Sequence, residues 1–219
     1  MKILCFTDIH GTTGNFDKIS DEIRLVDAVL LAGDISHFGH RSEVALILDK
    51  LLRLNPSVYA VSGNCDYPDV DEYLSEINIS INNTIKKLDH FFIYGLSGSL
   101  PCPGRTPNEK TEINFQEIIS SSKSRFKTKD NLIFVTHQPP YNTKNDEVAK
   151  GIHVGSKSIR ILIEEVQPLL CLAGHIHEGI GIDEIGRTKI INPGPFKDGN
   201  FAYAELGANS INVLEIKHV

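Results

Sequence analysis

Five apolar runs of strand length punctuate this chain: KILCFTD (2–8), DAVLLAGD (27–34), SVYAVSGN (57–64), NLIFVTH (131–137) and LLCLAGH (169–175). Runs of this length and composition read as buried strands. Between the first three lie NFDKISDEIRLV (15–26) and RSEVALILDKLLRLN (41–55), both with helical spacing, the second ended by Pro56. PDVDEYLSEI (68–77) follows as a short helix with proline at its start. This β-α-β-α-β order predicts a parallel sheet with right-handed crossovers.

The later chain is less regular. KKLDHFFIYGLSG (86–98) reads as a hairpin, FQEIISSSKSRF (115–126) as a helix and residues 138–155 as a long loop. SKSIRILIEEVQ (156–167) opens on a serine cap and continues as an amphipathic helix. Residues 179–191 alternate around a turn at 185–187, and FAYAELGANSINVLEI (201–216) reads as another hairpin. Strands outnumber the helices needed to cover one sheet. Two packed sheets with helices outside are expected, in a single domain over residues 1–219.

The ends of the five runs carry the chemistry. They deliver Asp8 and His10, then Asp34, Asn64, His137, and finally His175 and His177. Glycine directly precedes the ligand in three of the five, at Gly33, Gly63 and Gly174, where a close backbone approach is useful. Carboxyl ends of parallel strands share one edge of a sheet, and ligands bind there. Taken singly, each residue reads as a cap, a turn or a structural histidine. Five in one register read as a metal site. Carboxylates, imidazoles and one amide oxygen, with no thiolate pair, suit Mn, Fe, Zn or Ni rather than a structural zinc. Seven ligands exceed one ion's needs, and two ions about 3.5–4 Å apart sharing a carboxylate would use them all.

Charge and composition narrow the partners. A net charge of -6 argues against a broad nucleic-acid surface. It does not exclude a small anionic substrate, because a metal reverses the local field. The opening MKILCFTDIHG is neither a signal peptide nor a membrane span, and no later run is long enough to cross a bilayer. The four cysteines lack CxxC spacing, and Cys5 and Cys171 sit in apolar runs, so a reducing, cytoplasmic setting is the default. Oligomeric state is left open.

The series DIH (8–10), GD (33–34), GNCD (63–66), TH (136–137) and GHIH (174–177) resembles the ordered motifs of the calcineurin-like metallophosphoesterases. INPGP (191–195) resembles that family's return strand. GHIHEGIG together with HVGS (153–156) is similar to its small class III phosphodiesterase-type branch. The resemblance implies an αββα sandwich of four layers, two mixed sheets flanked by helices. It implies one ion on Asp8, His10, Asp34 and His177 and a second on Asp34, Asn64, His137 and His175, with manganese favoured and Asp34 bridging. A bridging water of lowered pKa would then attack a small or nucleotide-like phosphate ester in line.

One position departs from the family's common pattern: Cys65 stands where many members have a histidine that contacts phosphate and protonates the leaving oxygen. A thiol is the poorer acid near neutral pH, so phosphodiesters with activated leaving groups are favoured. Asn64, Cys65, Asp66 and His153 are the candidate catalytic residues. Asp66 is expected to orient a metal-ligating histidine. His153 either replaces the missing acid or packs beside Ser156, and Cys65 either takes part in the chemistry or only fills space. His37 and His40 read as surface-loop residues, with the wall of the substrate cleft as the alternative. Arg105 and Lys144 are loop cations that could meet phosphate, and His90 and His218 have no supporting context. A phosphomonoesterase and a non-catalytic scaffold are the competing readings. A DNA-repair nuclease is disfavoured by the acidic charge.

Overall fold

The computed structural model describes residues 1–126 and 131–219. In chain order its strands are β1 (Lys2–Phe6), β2 (Ala28–Ala32), β3 (Val58–Val61), β4 (Ile85–Leu88), β5 (Phe91–Leu96), β6 (Leu132–Thr136), β7 (Glu147–Ala149), β8 (Ile152–His153), β9 (Leu170–Leu172), β10 (Gly181–Ile185), β11 (Thr188–Asn192), β12 (Asn200–Leu206) and β13 (Ile211–His218). The α-helices are α1 (Gly14–Lys18), α2 (Ser20–Leu25), α3 (Arg41–Leu54), α4 (Pro68–Glu76), α5 (Glu112–Ser122) and α6 (Lys157–Val166).

Successive residues of a strand face opposite sides of its sheet, and here both sides are apolar. Ile3, Cys5, Leu30 and Val61 pack in one cluster with Ile93, Ile133, Val135, Leu170 and Leu172. That cluster is the seam between two sheets. Leu4, Phe6, Val29 and Leu31 turn the other way, onto Phe16, Ile23, Val44 and Leu48 of the helices α1 to α3. On the far sheet, Tyr94, Phe134 and Cys171 pack against Phe115 of α5 and Ile159 and Ile163 of α6. Burial on both faces is why these strands read as unbroken apolar runs. The result is the expected four-layer αββα sandwich.

The first sheet has the order β13-β12-β1-β2-β3, and the second β10-β11-β9-β6-β5-β4. β1, β2 and β3 are parallel neighbours, as are β5, β6, β9 and β11, while β12, β13, β4 and β10 pair antiparallel. Both sheets are therefore mixed. The carboxyl ends of β1, β2 and β3 lie side by side on one sheet, and those of β6 and β9 on the other.

Two local expectations change. The helix expected over 15–26 is split at Ile19, a buried residue with φ -118° and ψ 25° that belongs to neither α1 nor α2. The loop expected over 138–155 contains a 3-10 turn, Lys144–Asp146, and the short hairpin β7–β8. The serine cap holds, with the Ser156 side chain accepting from the Ile159 amide at 3.2 Å. Among the described residues no helix is long and apolar enough to cross a membrane.

Candidate metal centre

Four of the predicted ligands leave their strands through left-handed backbone: Asp8 at φ 54°, His10 at 45°, Asp34 at 48° and His175 at 68°. For residues other than glycine this costs on the order of 1–3 kcal/mol each, and it persists only where neighbours enforce it. They do so here. The Asp8 amide donates to the Gly33 carbonyl at 3.1 Å, His10 to Asp34 at 2.9 Å and Gly11 to Ile35 at 3.0 Å. The loops after β1 and β2 thus run as a bonded pair, with both carboxylates turned inward.

Asp8 is buried and well held. The Thr7 hydroxyl donates to its Oδ2 at 2.6 Å, and the His175 amide donates to the same oxygen at 3.1 Å. His177 Nε2 lies 3.2 Å from Oδ1, and His10 Nε2 lies 3.7 Å from it. Asp34 presents its two oxygens to different imidazoles. Oδ2 is 3.7 Å from His10 Nε2, and Oδ1 is 3.4 Å from His137 Nε2. The Cys65 amide also donates to Oδ1, at 2.8 Å.

His137 ties the two sheets together. Its Nδ1 lies 2.7 Å from the carbonyl of Ala32, on the other sheet. A carbonyl only accepts, so Nδ1 carries a proton whether the ring is charged or neutral, and Nε2 is the nitrogen that faces the site. Nε2 is 2.8 Å from Asn64 Oδ1, and the His175 ring stands 5.1 Å from that of His137, centroid to centroid. Two glycines make the crowding possible. A Cβ on Gly63 would sit 2.0 Å from Asp34 Oδ1, and one on Gly174 would sit 1.8 Å from Thr7 Oγ1.

The charges respond to this enclosure. Burial raises the Asp34 carboxyl, but the His137 charge, its hydrogen bond and His10 outweigh that and hold it far below the usual carboxylate range. Burial likewise lowers His137, yet Asp34 and Asp8 carry it up to about 9. His175 is pushed down to about 4, by burial first and then by the charge on His137. Burial also lowers His10. Burial, with Asp34 adding, drives the Cys65 thiol far upward, so it stays protonated.

The donor set fits a divalent cation. Among the described residues, His10 Nε2 is buried without a hydrogen-bond partner, equidistant from an Asp8 oxygen and an Asp34 oxygen. An orphaned nitrogen between two buried acids is costly as it stands and satisfied by a metal. Ligand atoms of Asp8, His10 and His177 lie within 4.8 Å of one another, as do those of Asp8, Asp34 and His137 and those of His10, Asp34 and Cys65.

The remaining candidates divide. Cys65 faces the cluster, beside His10 and Asp34, rather than filling space elsewhere. Asp66 is corrected: its carboxylate accepts from the amides of Ile35, Ser36 and Gly63 and from the Ser36 hydroxyl, all at 2.7–3.1 Å. It pins the loops after β2 and β3 rather than orienting a histidine. His153 lies outside these clusters, its Nδ1 2.8 Å from Asp146 Oδ1. His37 is exposed yet reaches the site, with Nδ1 3.5 Å from His10 Nδ1. His40 caps α3, 3.1 Å from Asp69. The Lys144 amide donates to Asp183, and His90 pairs with Asp89.

Sequence reasoning missed the positioning residues. Thr7 orients Asp8. Asn192 donates to the Ile176 carbonyl at 2.8 Å and accepts from the Gly194 amide, holding the turn that carries His175 and His177. Asn108 donates to the Gly63 carbonyl at 3.0 Å. The asparagine in INPGP was a visible signal; Thr7 and Asn108 act through contacts with no local pattern.

Comparison with known proteins places the chain in a family. The uncharacterized protein MJ1162 of Methanocaldococcus jannaschii is 39% identical over 205 residues, covering 89% of this chain and 88% of the relative. The crystal structure of TT1561 of Thermus thermophilus superposes with a TM-score of 0.76 at 18% identity, over 99% of this chain and 98% of that one. A dimetal phosphatase from Danio rerio superposes at 0.69 and 12% identity, over 100% and 96%. These two likenesses show the shared fold. The profile described as calcineurin-like phosphoesterase matches residues 1–179. Most of the chain lies within that match, and the chain belongs to the calcineurin-like phosphoesterase family.

Proposed function

We propose that residues 1–219 form one domain that hydrolyses small phosphodiesters with two divalent ions, manganese favoured. The observation that carries the reading is His10 Nε2, buried and, among the described residues, without a hydrogen-bond partner, between the Asp8 and Asp34 carboxylates. Asp8, His10, Asp34 and His177 would hold one ion, and Asp34, Asn64, His137 and His175 the other. Asp34 suits the shared position because its two oxygens face His10 and His137 separately. When bound, such ions neutralise phosphate charge and acidify water towards neutral pH.

The chain's own groups decide the rest. Thr7 and the His175 amide fix the Asp8 carboxylate, and the Ala32 carbonyl fixes the His137 ring. Phosphate would enter on the open side, where His37 is exposed and the His177 side chain keeps 37% of its surface. Both are imidazoles rather than fixed cations, which suits a monoanionic diester better than a dianionic monoester. Cys65 keeps its proton and gives it up poorly, so a leaving oxygen must depart largely unassisted. Aryl and other activated esters meet that requirement.

The test is hydrolysis of bis-p-nitrophenyl phosphate and p-nitrophenyl phosphate by metal-stripped protein after Mn²⁺ is added. Turnover of the diester at least about tenfold above the monoester, abolished in Asp34→Ala and Asn64→Ala, is expected. Preference for the monoester would move the assignment to a phosphatase. Two bound ions with no turnover of either ester would move it to a scaffold.

A further inference from the structure

Beside the candidate metal centre lies a cavity of about 330 Å³ that shares one residue with it, His175. Leu100, Pro101 and Pro103, from the loop after β5, form one wall. Val148 of β7 and Val154, just after β8, form the other, and Ile176 lies beside His175. The volume is in the range of small-molecule sites, roughly 300–1,000 Å³.

Two of the polar side chains in this lining, Gln138 and Cys102, already have protein partners. Gln138 is buried and accepts from the Leu100 amide at 2.8 Å while donating to the Val154 carbonyl at 3.0 Å. It joins the two walls, with one hydrogen bond made at each end of its amide. The Cys102 thiol donates to Glu109 Oε1 at 3.3 Å. The His175 imidazole is the lining side chain that this slot shares with the candidate metal centre. A nucleobase brought here would meet few side-chain partners for its hydrogen-bonding edges, and each edge left unpaired offsets part of what its ring gains by burial. An unsubstituted ring or alkyl group loses nothing and gains the burial.

The walls are also fixed in place. Asp146, fully buried, accepts from the amides of Asn142, Thr143 and Gly155 and lies 2.8 Å from His153 Nδ1. The Val154 amide donates to the Asp146 carbonyl at 3.0 Å. Through Asp146, His153 braces the wall of this slot.

We propose that the slot beside His175 is the substrate-specificity pocket of the site and takes an apolar organic group, aryl or alkyl, of the phosphate ester rather than a nucleoside. This rests on the phosphoesterase reading above and narrows it from small or nucleotide-like esters to apolar ones. No bond is made or broken in the slot; its contribution is affinity and register.

Calorimetric titration of Mn²⁺-loaded protein with phenylphosphonate, methylphosphonate and uridine 5′-monophosphate tests it without turnover. Phenylphosphonate is expected to bind about tenfold or more tightly than methylphosphonate, from burial of the ring, and uridine monophosphate to gain no such advantage. Val154→Trp, at a position 38% exposed and so able to accept bulk at the rim, should bring the phenyl-to-methyl ratio towards one, as should Val148→Trp. Equal affinity for the two phosphonates, with bis-p-nitrophenyl phosphate still hydrolysed, overturns the slot and leaves the phosphodiesterase standing. So does a phenyl preference that survives both tryptophan variants, or tighter binding of uridine monophosphate. Failure of all three ligands to bind, together with no diester turnover, overturns the underlying reading and the slot with it.

Discussion

At residue 65 the group beside Asp34 and His10 is a thiol held protonated, by burial first and by the Asp34 carboxylate second. Its consequence is confined to the leaving group. Cys65→His is expected to accelerate diesters with alkoxide leaving groups by about 10²-fold, and p-nitrophenyl diesters much less, since general acid help matters most for basic leaving oxygens. Rates on a paired alkyl and aryl series check this; equal acceleration of both would mean the histidine acts on binding instead. The strand-end cluster was readable from the chain because each of its residues follows an apolar run, and the glycines at 33, 63 and 174 marked the close approaches. Thr7 and Asn108 were not readable. Each acts through hydrogen bonds to neighbours whose positions depend on the whole fold. His37 was read as a loop residue because nothing in SHFGHRS shows that the loop after β2 folds back beside His10.

Among the elements, the loops after β2 and β3 do more than connect. Asp66 gathers four donors from them at 2.7–3.1 Å with its side chain fully buried. Asp66→Ala would strand three amides out of water, at about 1–3 kcal/mol for each group left unpaired, while the Ser36 hydroxyl keeps the Gly39 carbonyl at 3.2 Å. The expected outcome is a loss of roughly 3 kcal/mol or more in urea unfolding of the metal-free protein, together with weaker metal binding, because Asp34 and Asn64 sit on the same two loops. Unchanged stability would show that water replaces the carboxylate. Strands were legible as elements and this clasp was not, since a single aspartate after GNC carries no signal of four partners. The split helix at Ile19 and the β7–β8 hairpin escaped for a related reason. Apolar spacing runs through Ile19 unbroken, and Glu147–His153 is too short to show alternation.

For the molecule as a whole, two sheets meet face to face and their strand ends converge, with His137 of one bonded to Ala32 of the other. The layering was legible because both faces of the inner strands are apolar. The convergence across the sheet seam was not, because spacing along the chain does not say which strands of one sheet stand over which of the other. The convergence also fixes a pH dependence. His137 is raised from 6.5 to about 9 in the folded, metal-free protein, burial opposing and Asp34 prevailing. Its stabilising contribution is therefore complete below 6.5 and lost as pH rises through about 9. A metal must displace that proton from Nε2, so metal affinity should rise with pH across the same window.

Calorimetric titration of Mn²⁺ into metal-stripped protein at pH 7, in two buffers of different ionisation enthalpy, tests whether Asp34 is shared by two ions. Two ions per chain and release of about one proton are expected, with both ions weakened together in Asp34→Asn because that carboxylate would serve each. A single ion per chain, or two ions of which only one responds to Asp34→Asn, would contradict the shared dinuclear centre.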